Sequence, residues 1–173
     1  MRTRTTSLLA LAAAAAIALS GCAASTAPEA VAQTAADVVT IDDSWVKSAD
    51  SGMSAAFGEL KNSGTEDVTV VSAETPASSM AELHETVEND SGEMVMRPKE
   101  GGFVIPAGGS FMLEPGGNHI MLMDVVKPVK AGDTMTFTLT FSDGSTLDFT
   151  APGKDYSGAN ETYEGDMEMG TEG

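Results

Sequence analysis

Two imidazoles and two thioethers in this sequence share a spacing that suits a soft metal ion. They are His84, Met96, His119 and Met121, separated by 11, 22 and one residues. The chain has two His in all, so both belong to the set. The tightest pair lies in Asn118-His119-Ile120-Met121-Leu122-Met123-Asp124-Val125-Val126. Read as a strand, this run places His119, Met121 and Met123 on one face, with Ile120 and Leu122 on the opposite, core-facing side. His84 stands near the end of another strand, and Met96 sits across the hairpin that follows it. Two such pairs meeting at one edge or end of a sheet structure make a neutral, four-coordinate site. Imidazole and thioether together favour Cu(I). Zn(II) more often recruits Cys or carboxylate, and hard cations recruit oxygen. Met is also a common filler of apolar cores, so spacing alone leaves that role open for Met121 and Met123.

The elements that must carry these residues read as short strands. Val39–Val46, Met53–Leu60, Asp67–Ala73 and Met80–Val87 each alternate or run apolar, and Asn62-Ser63-Gly64 and Asn89-Asp90-Ser91-Gly92 are turn clusters. Met94–Arg97 returns from the second cluster. Phe103–Ile105 and Ser110–Leu113 follow, bounded by Pro106-Ala107-Gly108-Gly109 and Pro115-Gly116-Gly117. Met135, Phe137, Leu139 and Phe141 alternate with four Thr, and Asp143-Gly144 turns the chain toward Leu147 and Phe149, a hairpin pattern. Strands this short, with turns this frequent, predict an all-β, immunoglobulin-like or cupredoxin-like β-sandwich of short antiparallel strands over residues 38–152.

The flanks read differently. Arg2 and Arg4 precede an apolar run from Leu8 to Leu19, shorter than the roughly 20 residues a membrane span needs. The run ends in Leu19-Ser20-Gly21-Cys22, which resembles a bacterial lipobox. That resemblance implies a lipoprotein signal over residues 1–21, acylation of Cys22 as the lipid anchor, and an exported chain held at the cell envelope, in the periplasm or on the outer face of the cytoplasmic membrane. Residues 22–37 are then a flexible tether. Residues 153–173 predict an acidic tail with too few apolar residues to fold alone, in which Met167 and Met169 are either a second soft-ligand pair or incidental residues of a solvated tail. The net charge of -17 excludes a nucleic-acid surface and fits a cationic cargo or a basic partner.

Several segments, in order, are similar to those of the periplasmic copper chaperone family known as PCuAC. They are Ala81-Glu82-Leu83-His84-Glu85, Met94-Val95-Met96-Arg97-Pro98, Ile105-Pro106-Ala107-Gly108-Gly109 and Pro115-Gly116-Gly117-Asn118-His119-Ile120-Met121-Leu122. The resemblance implies a cupredoxin-like sandwich and Cu(I) held by His84, Met96, His119 and Met121. It also implies delivery of copper toward the CuA centre of cytochrome c oxidase subunit II, directly or alongside a Sco-like protein. Both long gaps are one residue longer than the family's usual spacing, which leaves Met94 a rival of Met96 and Met123 a spare thioether. Met53 reads as a core residue, with a place behind the ligands as the alternative.

Other readings make different demands. A blue-copper electron carrier needs a Cys thiolate, and the chain's one Cys is the expected anchor. A metal-free envelope lipoprotein that uses its sandwich surface to bind a partner is the alternative. No nucleophile motif brings Ser, Asp and His together, so the expectation is a carrier and not an enzyme.

Overall fold

Polar–apolar alternation cut by turn residues divides the chain into strands of two to nine residues. The computed structural model describes residues 33–159 and 162–163. All of them belong to the unit Ala32–Gly173. A single helical turn, α1 (Ala35–Val38), leads into β1 (Val39–Lys47), β2 (Ser54–Asn62) and β3 (Val68–Glu74). Then come β4 (Ala81–Glu88), β5 (Met94–Pro98), β6 (Phe103–Ile105), β7 (Ser110–Leu113) and β8 (His119–Leu122). The series closes with β9 (Thr134–Phe141), β10 (Thr146–Lys154) and β11 (Thr162–Tyr163).

The strands pair in the order β11-β5-β4-β8-β2-β1-β10-β9-β3-β6, and β7 adds to β2. The path folds back on itself at the β1–β10 junction, which makes a cupredoxin-like β-sandwich. Phe137, Leu139, Phe141 and Phe149 from β9 and β10 pack with Leu60, Leu83, Ile120 and Leu122 from the facing layer. The expected alternation in β9 holds, with Phe137, Leu139 and Phe141 buried.

The structure departs from the sequence reading in three places. The sheet is mixed, because β1 pairs parallel to β10 and β11 pairs parallel to β5. The strand expected over residues 118–126 ends at Leu122. Beyond it the backbone N–H groups of Met123, Val125 and Val126 donate to Met80, Gly52 and Ala77 carbonyls, outside the ladder. The tail expected from Gly153 is structured at its start. Gly153 pairs with Val46 and Lys154 with Lys47, and a Cβ at Gly153 would collide with the Lys130 carbonyl. Thr162 and Tyr163 then pair with Val95 and Met96. The expected signal, Cys22, Met167 and Met169 lie outside the described residues.

Candidate metal centre

Antiparallel register partners point their side chains to the same face of a sheet. On β4 and β8 the partners are Glu82 with Met121 and His84 with His119. On β4 and β5, Thr86 partners Met96. On β2 and β8, Ala55 partners Met121. One face of this layer therefore gathers His84, His119, Met121, Met96 and Glu82 beside β2. Both faces of β8 are buried. Ile120 and Leu122 enter the main core, as expected. The opposite face forms a second, smaller cluster of Ala55, Phe57, Met96, Met121 and Met123, backed by Trp45, Ala159 and Tyr163. A bulge between Asp42 and Trp45 sets Trp45 opposite Phe57, and their ring centroids lie 4.5 Å apart.

The two histidines are held tightly. His84 and His119 are fully and almost fully buried, with centroids 5.6 Å apart at 65°. Their tautomers follow from their partners. The Glu82 carboxylate lies 2.7 Å from His84 Nε2. A carboxylate accepts, so Nε2–H donates and Nδ1 keeps the lone pair. The Gly117 carbonyl lies 3.1 Å from His119 Nδ1, so that nitrogen carries the proton and Nε2 keeps the lone pair. His84 Nδ1 is buried with no hydrogen-bond partner among the described residues. Leaving such an acceptor unmet costs about 1–3 kcal/mol, a penalty that an electrophile at the nitrogen relieves. Burial holds the His84 imidazole below its ordinary pKa, while the Glu82 carboxylate pulls the other way. The neutral form is the one a metal ion needs.

The thioethers divide by environment. Met96 and Met121 are buried, and both line a cavity of about 210 Å³ with His119, Met53, Ala55, Phe57 and Lys47. Met123 is buried in the same cluster, just past the end of β8. Met94 is 48% exposed. Met53, read from the sequence as core, instead lines the cavity and is 45% exposed. The structure thus gathers His84, Met96, His119, Met121 and Met123 on one face and leaves Met94, on that face as well, exposed at the hairpin tip. Among the described residues, no three His, Cys, Asp or Glu converge as a metal site; the groups this face gathers are imidazoles and thioethers.

Two parts of the site were not anticipated. Glu82 was legible in principle, since positions i and i+2 of a strand share a face. The other is a wall made by the C-terminal segment. Tyr163 stacks on His84 with centroids 5.4 Å apart and planes within 7°, and Ala159 lines the cavity. Its signal in the sequence is faint, consisting of Tyr156 and Tyr163 in an otherwise polar stretch. On the opposite side of β4, Glu85 accepts from Arg97 Nε at 3.0 Å and Lys99 Nζ at 2.7 Å, which ties β4 to the strand that carries Met96.

Comparison with known proteins agrees with this architecture. The family model described as LpqE-like, for lipoproteins of that type, matches residues 39–153. A Leifsonia xyli subsp. xyli protein named as a lipoprotein, Lxx21020, is 50% identical over 130 residues, which is 75% of this chain and 78% of that protein. The copper-bound PCuAC domain from PmoF2 superimposes with a TM-score of 0.58 at 16% identity, covering 71% of this chain and 97% of that domain. The solution structure of CuI-DR1885 from Deinococcus radiodurans superimposes with a TM-score of 0.51 at 27% identity, covering 71% of this chain and 84% of that protein.

Proposed function

This chain belongs to the LpqE-like lipoprotein family, and from that premise we propose that it is an extracytoplasmic copper carrier that takes Cu(I) through His84, Met96, His119 and Met121 and hands it to a partner. The observation that most supports this reading is the register pair His84–His119, whose unprotonated nitrogens are set by Glu82 and Gly117 beside a buried thioether cluster. The PCuAC neighbours, one copper-bound and one in a Cu(I) form, support the same cargo. The acceptor is the CuA site of cytochrome c oxidase subunit II or a Sco-like copper protein.

The chemistry suits a carrier. Neutral imidazole and thioether bind Cu(I) without a thiolate, so the site tolerates an oxidising compartment. Thioethers leave one at a time when an acceptor's thiolate or imidazole displaces them. Acid competes for the same nitrogens and loosens the ion. Cys22, acylated after export, would hold the carrier at the envelope, a placement that the lipoprotein relatives support. Met167 and Met169 would add a second, weaker thioether pair.

The test is a Cu(I) titration of the full chain, with X-ray absorption counting nitrogen and sulfur neighbours. Mixed nitrogen and sulfur coordination at the first equivalent is expected. A first equivalent bound through oxygen, or no uptake, rejects the reading.

A further inference from the structure

The C-terminal segment does more than end the chain. After β10, Tyr156, Ala159 and Tyr163 lie against the site, and three separate contacts hold the described residues there. Lys47 Nζ donates to the Gly158 and Ala159 carbonyls at 2.6 and 3.1 Å. Tyr156 packs edge-on against Trp45, with centroids 5.3 Å apart. Tyr163 pairs through its backbone with Met96 on β5. Ala159 takes a left-handed backbone, φ 56°, which costs an L-residue about 1–2 kcal/mol. The two carbonyls that accept from Lys47 flank that turn, so the lysine holds the chain in a conformation it would otherwise leave.

The consequence falls on one ligand. Tyr163 joins the strand that bears Met96 and, through its ring, lies flat on His84. His84 is fully buried and does not line the cavity that His119, Met96 and Met121 share. Its ring is bounded by Tyr163 on one face, by the edge of His119, and by Glu82 at Nε2. Three of the four donors therefore face the cavity, and the fourth sits under the tyrosine. Tyr163 also lies beyond residues 39–153, the part of the chain that the family model matches.

We infer that Tyr163 is a positioning residue for His84 and the gate on copper exchange. Stacking fixes the imidazole plane and with it the direction of the Nδ1 lone pair. It also denies an incoming acceptor access to His84 until the segment lifts from β5. Lifting breaks the β11 pairing and exposes the edge of β5, where the acceptor's own backbone can pair as it displaces the copper. The inference rests on the proposed Cu(I) function for its consequence, though not for the geometry.

The test uses the full chain as wild type, Tyr163→Ala and Tyr163→Phe, with Lys47→Ala as a second way to loosen the segment. In the copper arm, Cu(I)-loaded protein meets excess bathocuproine disulfonate and the rate of transfer is followed. Tyr163→Ala should release copper about tenfold faster, the lower end of what loss of an outer partner of a metal ligand costs. Lys47→Ala should shift in the same direction, and Tyr163→Phe should stay near wild type. In a copper-free arm, diethyl pyrocarbonate modification of His84 is read by mass spectrometry. It should be slow in wild type and Tyr163→Phe and fast in Tyr163→Ala. Equal His84 reactivity in wild type and Tyr163→Ala overturns the gate. If the wild type takes up no Cu(I), the carrier function falls while the copper-free arm still decides whether Tyr163 covers His84.

Discussion

His84 and His119 are register partners across β4 and β8, and their rings meet edge to face with centroids 5.6 Å apart. The pairing comes from the ladder itself, so neither ring depends on a loop for its place. Removing one imidazole should therefore damage binding and spare the fold. His119→Ala is expected to lower Cu(I) affinity by more than about a hundredfold, beyond the loss from an outer partner. Its stability should change by about 0.5–3 kcal/mol, the usual span for one substitution. Competition with a Cu(I) chelator, alongside thermal unfolding, reads both. Wild-type affinity in the variant would remove His119 from the site.

Met94 and Met96 lie two residues apart on β5 and differ tenfold in exposure, 48% against 5%. Met94 partners Glu88 at the hairpin tip, whereas Met96 partners Thr86 on one side and Tyr163 on the other. Met→Leu nearly conserves volume, so either change should cost less than about 1.5 kcal/mol of stability. Only Met96→Leu should weaken Cu(I) binding. A loss confined to Met94→Leu would reassign the thioether.

That contrast also shows what the sequence could and could not reveal. Alternation along His119-Ile120-Met121-Leu122 was enough to separate a side carrying imidazole and thioether from a core side, because strand periodicity is local. The same periodicity gave Met94 and Met96 identical standing. Their difference comes from position, since Met94 pairs with Glu88 at the exposed hairpin tip whereas Met96 lies between Thr86 and Tyr163, and pairing partners are set by the whole sheet. The apolar run past Leu122 looked like more strand, yet Met123, Val125 and Val126 send their N–H groups to neighbouring loops. Tyr163 was hidden for a related reason. A two-residue strand carries no alternation, and its pairing with Val95 and Met96 is made by backbone.

At the other end of the fold, Asp143 anchors the start of the domain to the β9–β10 turn. Its carboxylate accepts from the Ala35 N–H at 2.7 Å and from the Ser145 N–H and hydroxyl. These bonds, the Ala35 one foremost, hold its pKa below the ordinary carboxylate value. A folded pKa below the unfolded one gives stability that is complete above the unfolded value and lost as pH falls through the folded one. Asp143→Asn should therefore melt below wild type near pH 7, with the gap closing as pH drops below about 3.8, the unperturbed value. A gap that persists unchanged in acid would show that the carboxylate's charge is not the cause.

Glu82 offers the sharpest test of how the site is tuned. It faces Met121 in register and reaches forward two residues to His84 Nε2 at 2.7 Å. Its side chain is 30% exposed while that of His84 is fully buried, so the pair links solvent to the interior through one hydrogen bond. Burial alone would leave the imidazole free to carry its proton on either nitrogen. The carboxylate draws the proton to Nε2 and leaves the lone pair on Nδ1. Carboxylate partners of this kind orient ligating imidazoles and raise their basicity, and their loss costs about 10–100-fold in metal affinity. Glu82→Ala should fall in that range, and Glu82→Gln, which keeps an acceptor, should lose less. Nitrogen NMR of the copper-free protein should show His84 protonated at Nε2 in wild type and redistributed in Glu82→Ala. An alanine variant with the wild-type tautomer and wild-type affinity would mean that the surrounding packing, and not Glu82, sets the donor nitrogen.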